Sequence, residues 1–361
     1  MGGTQSRPGV WVRAGAKATR IARRVRFLAS VRHIHGPRRL TTRADDVIVV
    51  ALVKNGVFYL DDFFDHYRAI GARHFVFFDN GSSDGSSSDG TIARIAREPG
   101  TIIVQSRLPW GQFENDFRRH AAQTYCANRW CLFADMDEMF DFEGSDTLGL
   151  TGLVRYLRKN DFTALVAQML EMFPKSPLRQ TASMPYAQAL DQYRYFDLGE
   201  IVDHDYHDPQ IGFGYYLKDN TLPDPRIKVL FGGVRRKVFG EVCCLTKHPL
   251  VFVGPNTQTG VHPHCSAQVD CADFSALIRH YKFTDDPLAR DSDLVATAAI
   301  DHGEDRLRVQ AMRDDPDLSL YSPDSILFTG VDDLYARGFL IRSEQYSAYV
   351  AAYPTREARG D

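Results

Sequence analysis

The chain has 361 residues, of which 44% are hydrophobic and 25% charged; these values are ordinary for a folded globular protein and exclude a disordered or fibrous one. The formal net charge of −3 at pH 7 points to no particular partner. The charge is uneven, however. Residues 1–44 contain eleven Arg or Lys and no Asp or Glu, which leaves 32 basic and 46 acidic residues in the remainder.

The basic segment 1–44 has three interpretations. Its apolar residues alternate with arginines at helical intervals, which suits an amphipathic helix on an anionic membrane surface. A disordered basic arm is the second interpretation, and an Arg-rich transit peptide is the third. No stretch reaches the roughly 18 consecutive apolar residues of a membrane-spanning helix, and arginines interrupt every apolar core that a secretory signal would need.

The six cysteines form no CxxC pair and no regular framework, so free thiols in a reducing compartment fit best. Without a secretory signal, we expect a cytoplasmic protein, either free or peripheral on the inner membrane face. Charge alone would allow nucleic-acid binding by the basic segment. No recognition motif supports it, so we expect no nucleic-acid partner.

In chain order, strand-length apolar runs alternate with helical spacing from residue 46 onward. The runs are residues 46–53, 74–78, 101–105 and 130–134. Residues 57–70 and 113–127 have the spacing of helices. This alternation predicts an α/β fold with a mostly parallel, Rossmann-like sheet and flanking helices. Ligands of such sheets bind at the carboxyl ends of the strands, where the strand order reverses.

The second half of the chain has weaker patterns. A helix over residues 148–159 and a strand over 163–170 are predicted, followed by an irregular stretch, 174–225. Beyond about residue 285 we expect a mostly helical tail. The predicted organisation is therefore a basic arm over 1–44, a main α/β domain over 45–285 and a mostly helical C-terminal extension over 286–361.

Acidic residues end the fourth predicted strand: Asp135 and Asp137, followed by Glu138. Oxygen ligands at a sheet edge suit Mg²⁺ or Mn²⁺ shared with a diphosphate. Such an ion would act as a Lewis acid and offset the charge on a leaving nucleoside diphosphate. The alternative is a helix N-cap that carries extra acids.

The second predicted strand ends in another polar cluster, in which Asp79 and Asn80 precede Gly81, two serines and Asp84. Small residues after a strand-end carboxylate let a nucleoside approach the backbone closely, and Asp79 or Asp84 would accept hydrogen bonds from its base or ribose. The alternative is a Gly/Ser turn held by its own Asp side chains. The cluster is neither a GxGxxG fingerprint nor a P-loop.

Three later clusters contain side chains that could bind a metal or a phosphate. His262, His264 and two nearby cysteines allow a zinc site, an additional metal or phosphate ligand, or ordinary loop histidines. The acidic and histidine residues at 203–208 allow a metal cluster or a solvated loop. Arg235 and Lys247 would neutralise phosphates or an anionic acceptor, or lie in solvated basic turns.

Taken together, residues 49–55, 78–85 and 130–140 resemble the GT-A glycosyltransferases of the family-2 type. They are most similar to a bacterial subgroup that reads "K-N-E … W … H … G … DN-S-D … Q … DxDEF". The matching positions are Lys54-Asn55-Gly56, residues 63–66, Gly71, residues 79–84, Gln112 and residues 135–140. Later blocks at 232–236, 245–250, 260–264 and 280–283 extend the resemblance over residues 46–285.

The resemblance implies a set of donor-site roles. Donor contacts would come from Asn55, Asp79, Asn80, Asp84, Gln112, Arg119 and Asp135, with Arg118 as the alternative to Arg119. Asp135 and Asp137 would hold the diphosphate through a metal ion, and His262, from its own side-chain chemistry, is the third predicted metal ligand. Asp137 and Glu138 would be catalytic, and Arg235, Lys247 and His264 would lie on the phosphate and acceptor side. Gly56 replaces the usual Glu of the subgroup, and Glu114 is a candidate to stand in for it.

The implied activity is metal-dependent transfer of a sugar from a UDP- or GDP-linked donor to a carbohydrate or glycolipid acceptor. The resemblance favours inversion and a role in surface polysaccharide or glycolipid assembly. The cofactor would be Mn²⁺ or Mg²⁺, and an anionic membrane would be a partner of residues 1–44. An inverting reaction needs a general base, for which the candidates are Glu171, Asp197, Glu200 and Glu241. The alternatives are a metal-dependent phosphatase or phosphoryl transferase and a non-catalytic nucleotide-sugar or carbohydrate-binding module.

Overall fold

The structure is a computed structural model that describes residues 10–82, 89–297 and 303–353. Asp84, one of the predicted donor contacts, lies outside the described residues. The strands are β1 (Arg32–His35), β2 (Val47–Val53), β3 (His74–Asp79), β4 (Thr101–Gln105), β5 (Trp130–Phe133), β6 (Glu138–Asp141), β7 (Ala164–Glu171), β8 (Tyr195–Phe196), β9 (Ile201–Asp205), β10 (Lys228–Gly232), β11 (Thr246–Phe252), β12 (Gln258–His262), β13 (Cys265–Ala267), β14 (Cys271–His280) and β15 (Ile326–Leu327).

The α-helices are α1 (Val10–Ser30), α2 (Val57–Ala69), α3 (Thr91–Ala96), α4 (Trp110–Tyr125), α5 (Ser145–Lys159), α6 (Tyr186–Gln192), α7 (Gly214–Leu217), α8 (Val234–Phe239), α9 (Pro287–Thr297), α10 (Glu304–Asp314), α11 (Val331–Ala336) and α12 (Glu344–Ala352). The stretch 174–225, expected to be irregular, contains only short elements. Helices dominate after residue 285.

A central sheet of nine strands, counted over the described residues, organises the fold in the order β1-β4-β3-β2-β5-β11-β7-β14-β6. Strands β4, β3, β2, β5, β7 and β14 run in one direction, whereas β1, β11 and β6 run in the other. In chain order, β3 and β4 are added on one side of β2, and β5 is then added on the other side of β2. The strand order therefore reverses between β2 and β5.

Both faces of the parallel strands are covered, which explains their continuous apolar sequences. All seven residues of β2 are buried. Because side chains alternate along a strand, Val49 and Ala51 pack on the α2 side, whereas Ile48 and Val50 pack on the α4 side. The predicted fold class is confirmed: an α/β architecture with a mostly parallel Rossmann-like sheet, flanking helices and a mostly helical C-terminal part.

Segments near both ends of the described residues contribute to this core. Phe27 of α1 is buried against Phe78 and Phe117, and β1 pairs antiparallel with β4. At the other end β15 pairs with β8, and Tyr346 of α12 stacks on Phe274 with ring centroids 3.9 Å apart. Residues on both sides of the boundaries predicted at 44 and 285 thus contact each other, and the division into three parts stays a prediction.

Two sequence expectations concern the whole chain. Within the described ranges, no helix is long and apolar enough to cross a bilayer. All six cysteines are free thiols, and five of them are buried.

Candidate functional site

The carboxyl ends of β2, β3 and β5 meet where the strand order reverses. Val53 at the end of β2 lies opposite Asp79 at the end of β3, and the backbone N–H of Asn80 donates to Val53 O at 2.8 Å. Ala134, which follows β5, donates to Val50 O at 3.0 Å. The predicted polar clusters after β3 and β5 thus share one edge of the sheet, at the usual ligand position of such folds.

The Asp79 carboxylate holds the loop after β3. It is fully buried and accepts hydrogen bonds from the backbone N–H groups of Gly81 and Ser82, the Ser82 hydroxyl and Gln105 Nε2. These protein donors account for its burial without a ligand. A contact between Asp79 and a nucleoside therefore stays a prediction.

Three further predicted donor contacts take structural hydrogen bonds. Asn80 Nδ2 donates to Ser106 O and Leu108 O, at 2.9 and 2.8 Å. Asn55 donates its backbone N–H to Ser82 Oγ at 2.9 Å, and the backbone carbonyl of Gln112 accepts from Arg23. These bonds shape the loops around the edge, and donor contacts by the same residues remain untested.

Asp135 is engaged by two cations. Arg118 Nη2 lies 2.9 Å from Oδ1, and Lys247 Nζ lies 2.9 Å from Oδ2. Burial raises the pKa of Asp135, but the charges of Arg118 and Lys247 outweigh it and hold the pKa well below its usual range. Lys247 also pairs with Glu138. Asp135, Glu138 and Lys247, all predicted as site residues, are therefore brought together.

Of the two predicted arginines of α4, Arg118 and not Arg119 reaches this cluster. Arg119 lies elsewhere on the helix, where its Nη1 pairs with Asp116 at 3.0 Å and its Nη2 donates to Gly260 O at 2.7 Å. The helical period explains the difference, because adjacent residues point about 100° apart. Arg118 also pairs with Glu114 at 3.0 Å, so Glu114 does supply a carboxylate to the cluster.

The backbone near Gly56 leaves little space for a side chain. A Cβ atom there would lie 2.7 Å from Val53 Cγ2 and 3.7 Å from Met136 Cγ. The usual Glu of the resembling subgroup would therefore require Val53 to shift.

Asp137 belongs to a second ion cluster, next to the first. His280 bridges two carboxylates: its Nδ1 lies 2.9 Å from Glu171 Oε2, and its Nε2 lies 3.4 Å from Asp137 Oδ2. Burial lowers the pKa of His280, but the charges of Glu171 and Asp137 outweigh it and raise the pKa to about 9. His280 is therefore a cation at neutral pH and orients Asp137.

Glu171 is the one general-base candidate of the four that joins this cluster. Asp197 pairs with Lys237 at 2.7 Å, and Glu241 pairs with Arg235 and Arg308. Glu200 is exposed, with Arg236 at 3.7 Å. Arg235, predicted on the phosphate side, is buried with its charge matched by Glu241. This ion pair holds α8 to the residues that follow it, and a phosphate-side role of Arg235 stays a prediction.

Two cations near Asp137 were given no role from the sequence. Lys282 Nζ has no ion pair among the described residues, and burial together with the charges of Arg308, Arg290 and Arg235 lowers its pKa. Its backbone N–H donates to Glu171 Oε1 at 3.2 Å. Arg290 Nη2 is buried and has no hydrogen-bond partner within the described part of the chain. The rest of the guanidinium is engaged, since Nε pairs with Asp291 at 3.3 Å and Nη1 donates to Thr284 O at 3.0 Å. Asp291, and after it Tyr59 and Asp137, act electrostatically on Arg290.

The described residues therefore leave two cationic side chains near Asp137, Arg290 and Lys282, with hydrogen-bonding or charge capacity that the protein does not use. A buried guanidinium N–H without a hydrogen-bond partner is unfavourable unless a ligand supplies an acceptor, and a lysine without an ion pair in the described part of the chain is available to an anionic ligand. A buried hydroxyl in the same region, Tyr186 Oη, also has no partner within the described ranges; burial, and after it the charge of Asp137, raises the pKa of Tyr186. The arrangement suits an anion with several acceptor oxygens.

The predicted metal ligands do not converge. Across the described ranges, no group of three or more His, Cys, Asp or Glu side chains is arranged to hold a metal ion. Both oxygens of Asp135 are taken by cations, and His262 Nδ1 accepts from the backbone N–H of His264 at 3.2 Å. His264 Nδ1 lies 3.0 Å from Thr246 O, so its ring is also held by the protein.

Of the predicted ligands, Asp137 alone suits a divalent ion. Mg²⁺ and Mn²⁺ commonly use one or two carboxylates and complete their coordination with substrate phosphates and water. Asp137 is partly exposed at the sheet edge and fits such a one-carboxylate role. The predicted three-residue site is thereby reduced to Asp137 and remains untested.

Comparisons with known proteins identify no family. No family model and no curated protein matches the chain. Among solved structures, residues 1–349 of TarS from S. aureus match with 14% identity and a TM-score of 0.27 over 37% of this chain and 42% of that one. A longer TarS structure matches with 15% identity and a TM-score of 0.26 over 37% and 24% of the two chains. The match thus spans less than half of either protein.

Proposed function

We propose that this protein transfers a sugar from a nucleotide-sugar donor to a hydroxyl acceptor, with the donor diphosphate bound beside Asp137. The observation that carries the proposal is a pair of cationic groups that act electrostatically on Asp137: Arg290, whose buried Nη2 has no hydrogen-bond partner among the described residues, and Lys282, which has no ion pair among them. A diphosphate supplies the acceptor oxygens that these groups need. The motif resemblance over residues 46–285 selects glycosyl transfer among the diphosphate chemistries.

The protein residues have separable roles in this proposal. Lys282 and Arg290 bind the diphosphate and stabilise the charge that develops on it as the leaving group departs. His280 lies between two carboxylates and holds both in place, Asp137 through Nε2 and Glu171 through Nδ1. Glu171 is the candidate that accepts the proton of the acceptor hydroxyl. Arg118 and Lys247 fix Asp135 at the end of β5.

A divalent ion on Asp137 would supply Lewis-acid stabilisation of the diphosphate when bound. Since one carboxylate is a weak site by itself, the ion and the diphosphate are expected to bind together. The donor is a UDP- or GDP-linked sugar and the acceptor a carbohydrate or glycolipid, in surface polysaccharide or glycolipid assembly. Inversion of the anomeric carbon follows from the same resemblance.

The first test is thermal unfolding with UDP or GDP at about 1 mM, with and without Mn²⁺ or Mg²⁺, and with each ion alone. We expect one nucleotide to raise the unfolding temperature when an ion is present and the ion alone to have no effect. Binding at 100 times Kd would add about 2.7 kcal/mol to the unfolding free energy. The Asp137→Asn variant should lose the ion-dependent part of the shift, whereas Asp146→Asn, at an exposed residue of α5, should keep it.

Turnover separates the proposal from its alternatives. A sugar transferase releases the nucleoside diphosphate in proportion to a glycosylated acceptor. Release of inorganic phosphate without an acceptor would overturn the proposal in favour of a phosphatase. Donor binding without turnover across a panel of saccharide and glycolipid acceptors would favour a binding module. If no nucleotide changes the unfolding temperature, the proposal of a donor site is wrong.

A further inference from the structure

An exposed apolar stripe runs along α1. Ile21, Val25 and Leu28 are 55%, 61% and 48% exposed. They are spaced at i, i+4 and i+7, so they line one face of the helix. Isolated apolar residues on a surface are normal, but an aligned set on one helix marks an interaction surface.

The opposite face of the same helix is the one that packs on the protein. Phe27 is buried among Phe78, Phe113 and Phe117, and Arg23 pairs with Asp116 of α4. At 100° per residue, Phe27 lies about 120–160° around the helix from Ile21 and Val25. The stripe is thus turned outward by the contacts that hold the helix in place.

The charge around the stripe is positive. Arg24 lies between the stripe and the packed face on one side, and Arg26 lies on the other, while Arg20 lies about 20° around the helix from Phe27; all three are exposed. The whole of residues 1–44 contains no acidic residue. An apolar stripe flanked by arginines complements a surface with an apolar interior and anionic headgroups.

We propose that α1 docks the protein on anionic lipid bilayers, with Ile21, Val25 and Leu28 inserted among the lipids and the flanking arginines at the headgroups. The partner is a membrane surface, because neither a single anionic polymer nor a polar protein face would use the apolar stripe. This surface is independent of the proposed transferase activity.

The docked orientation has a consequence for access to the sheet edge. Ser30 at the end of α1 contacts Ser106, the residue after β4, with 2.7 Å between the hydroxyl oxygens. Arg23 contacts Gln112 and Asp116 in the first half of α4. The second half of α1 therefore lies at the carboxyl end of the sheet. Docking through α1 would keep this end close to the bilayer and to lipid-linked molecules.

The test is co-sedimentation of the full chain with vesicles of phosphatidylcholine alone and with 30% phosphatidylglycerol. We expect binding to the anionic vesicles that is at least tenfold stronger than to the neutral ones and weakens with salt, since screening reduces the headgroup attraction. A triple variant, Ile21→Ser, Val25→Ser and Leu28→Ser, should lose at least tenfold in affinity. The double variant Arg20→Glu and Arg24→Glu should lose the preference for anionic lipid.

The matched control replaces three exposed apolar residues outside α1, Val242, Leu307 and Leu327, by Ser. It should bind vesicles as the unchanged protein does. Equal binding by the triple α1 variant would overturn the proposal, because attraction would then be electrostatic alone. Loss of vesicle binding together with loss of self-association, measured by light scattering, would instead assign the stripe to a second copy of the chain. Circular dichroism of each variant checks that the fold is kept.

Discussion

Asp135 and Asp137 are two residues apart in the sequence, yet their surroundings differ. Asp135 is bound by Arg118 and Lys247, so its charge is already balanced by the protein. Asp137 faces His280 at the longer distance of 3.4 Å, near Arg290, whose buried Nη2 has no hydrogen-bond partner within the described ranges. The two carboxylates belong to one Asp-x-Asp motif, but their contacts assign them separate roles.

Lys282→Ala is the residue-scale prediction. Lys282 has no ion pair within the described residues and its pKa is lowered by burial and by nearby arginines, so its removal should leave the unfolding temperature unchanged or raise it. The same change should weaken nucleotide binding by about 1.5–3 kcal/mol, the contribution of a hydrogen bond to a charged group. Differential scanning fluorimetry with a nucleotide titration measures both.

The control is Lys159→Ala, which removes an exposed lysine at the other end of the sheet, before β7. It should leave binding unchanged. A variant of Lys282 that is less stable but binds nucleotide normally would contradict the assigned role.

At the scale of elements, a buried ion network joins the C-terminal helices to α8. Arg308 of α10 is 1% exposed and pairs with Asp291 of α9, Asp305 and Glu241, the last of which also pairs with Arg235. Burial raises the pKa of Asp291, but the neighbouring cations, Arg290 first, outweigh it and lower the pKa. The charges are costly to bury singly, so the network makes the docking of α9 and α10 specific.

Arg308→Ala should therefore destabilise the protein by about 3–5 kcal/mol, because Asp291 and Glu241 would keep buried charges with fewer partners. The stability contributed by Asp291 is present above its unfolded pKa, near 3.8, and is lost as the pH falls through the lower folded value. Urea unfolding at pH 7 and at pH 3 measures both effects. Arg306→Ala, at an exposed position of α10, is the control and should change stability little. A similar small change for Arg308→Ala would contradict the network's role.

At the scale of the molecule, the segments at both ends of the chain complete the central core. Tyr346 of α12 is fully buried, stacks on Phe274 of β14 and lies 4.9 Å from the Tyr156 ring of α5. Ile341 O accepts a hydrogen bond from Ser275 N at 2.9 Å. The C-terminal part is thus packed into the sheet that forms the candidate site.

Tyr346→Ala is the prediction at this scale. Loss of a large buried aromatic ring should cost about 3–5 kcal/mol and lower a single cooperative unfolding transition. Tyr215→Ala, which removes a ring that is 72% exposed, should have little effect. Calorimetry that shows an unchanged main transition and a separate, weaker one would instead make residues 286–361 an independent unit.

The elements predictable from sequence were the central ones. Strands β2, β3, β4 and β5 were predicted within about one residue, since strands covered on both faces have continuous apolar sequences. β1 was missed because its four residues, Arg32–His35, alternate between exposed and half-buried and carry charge. α4 begins three residues before its predicted start, because Pro109 and Trp110 form its first turn and not a separate loop.

The candidate site was predictable only in part, for a similar reason. Carboxylates at the ends of apolar strands are visible in the sequence, since the edge position follows from the strand pattern. The sequence does not show, in contrast, whether the charge of a lysine or arginine is paired in the folded protein. Lys282 and Arg235 illustrate this: the first is without a counterion within the described residues, and the second, which was given the phosphate role, is neutralised by Glu241.

The sequence by itself determined the α/β class, the positions of the four central strands β2 to β5, and the strand ends at which the acidic clusters lie. These follow from local hydrophobic periodicity and chain connectivity. The tertiary structure alone decided which cations balance Asp135, which remain available beside Asp137, and which face of α1 is turned outward. Such pairings join residues up to about a hundred positions or more apart, and no local pattern encodes the distances on which electrostatic compensation depends.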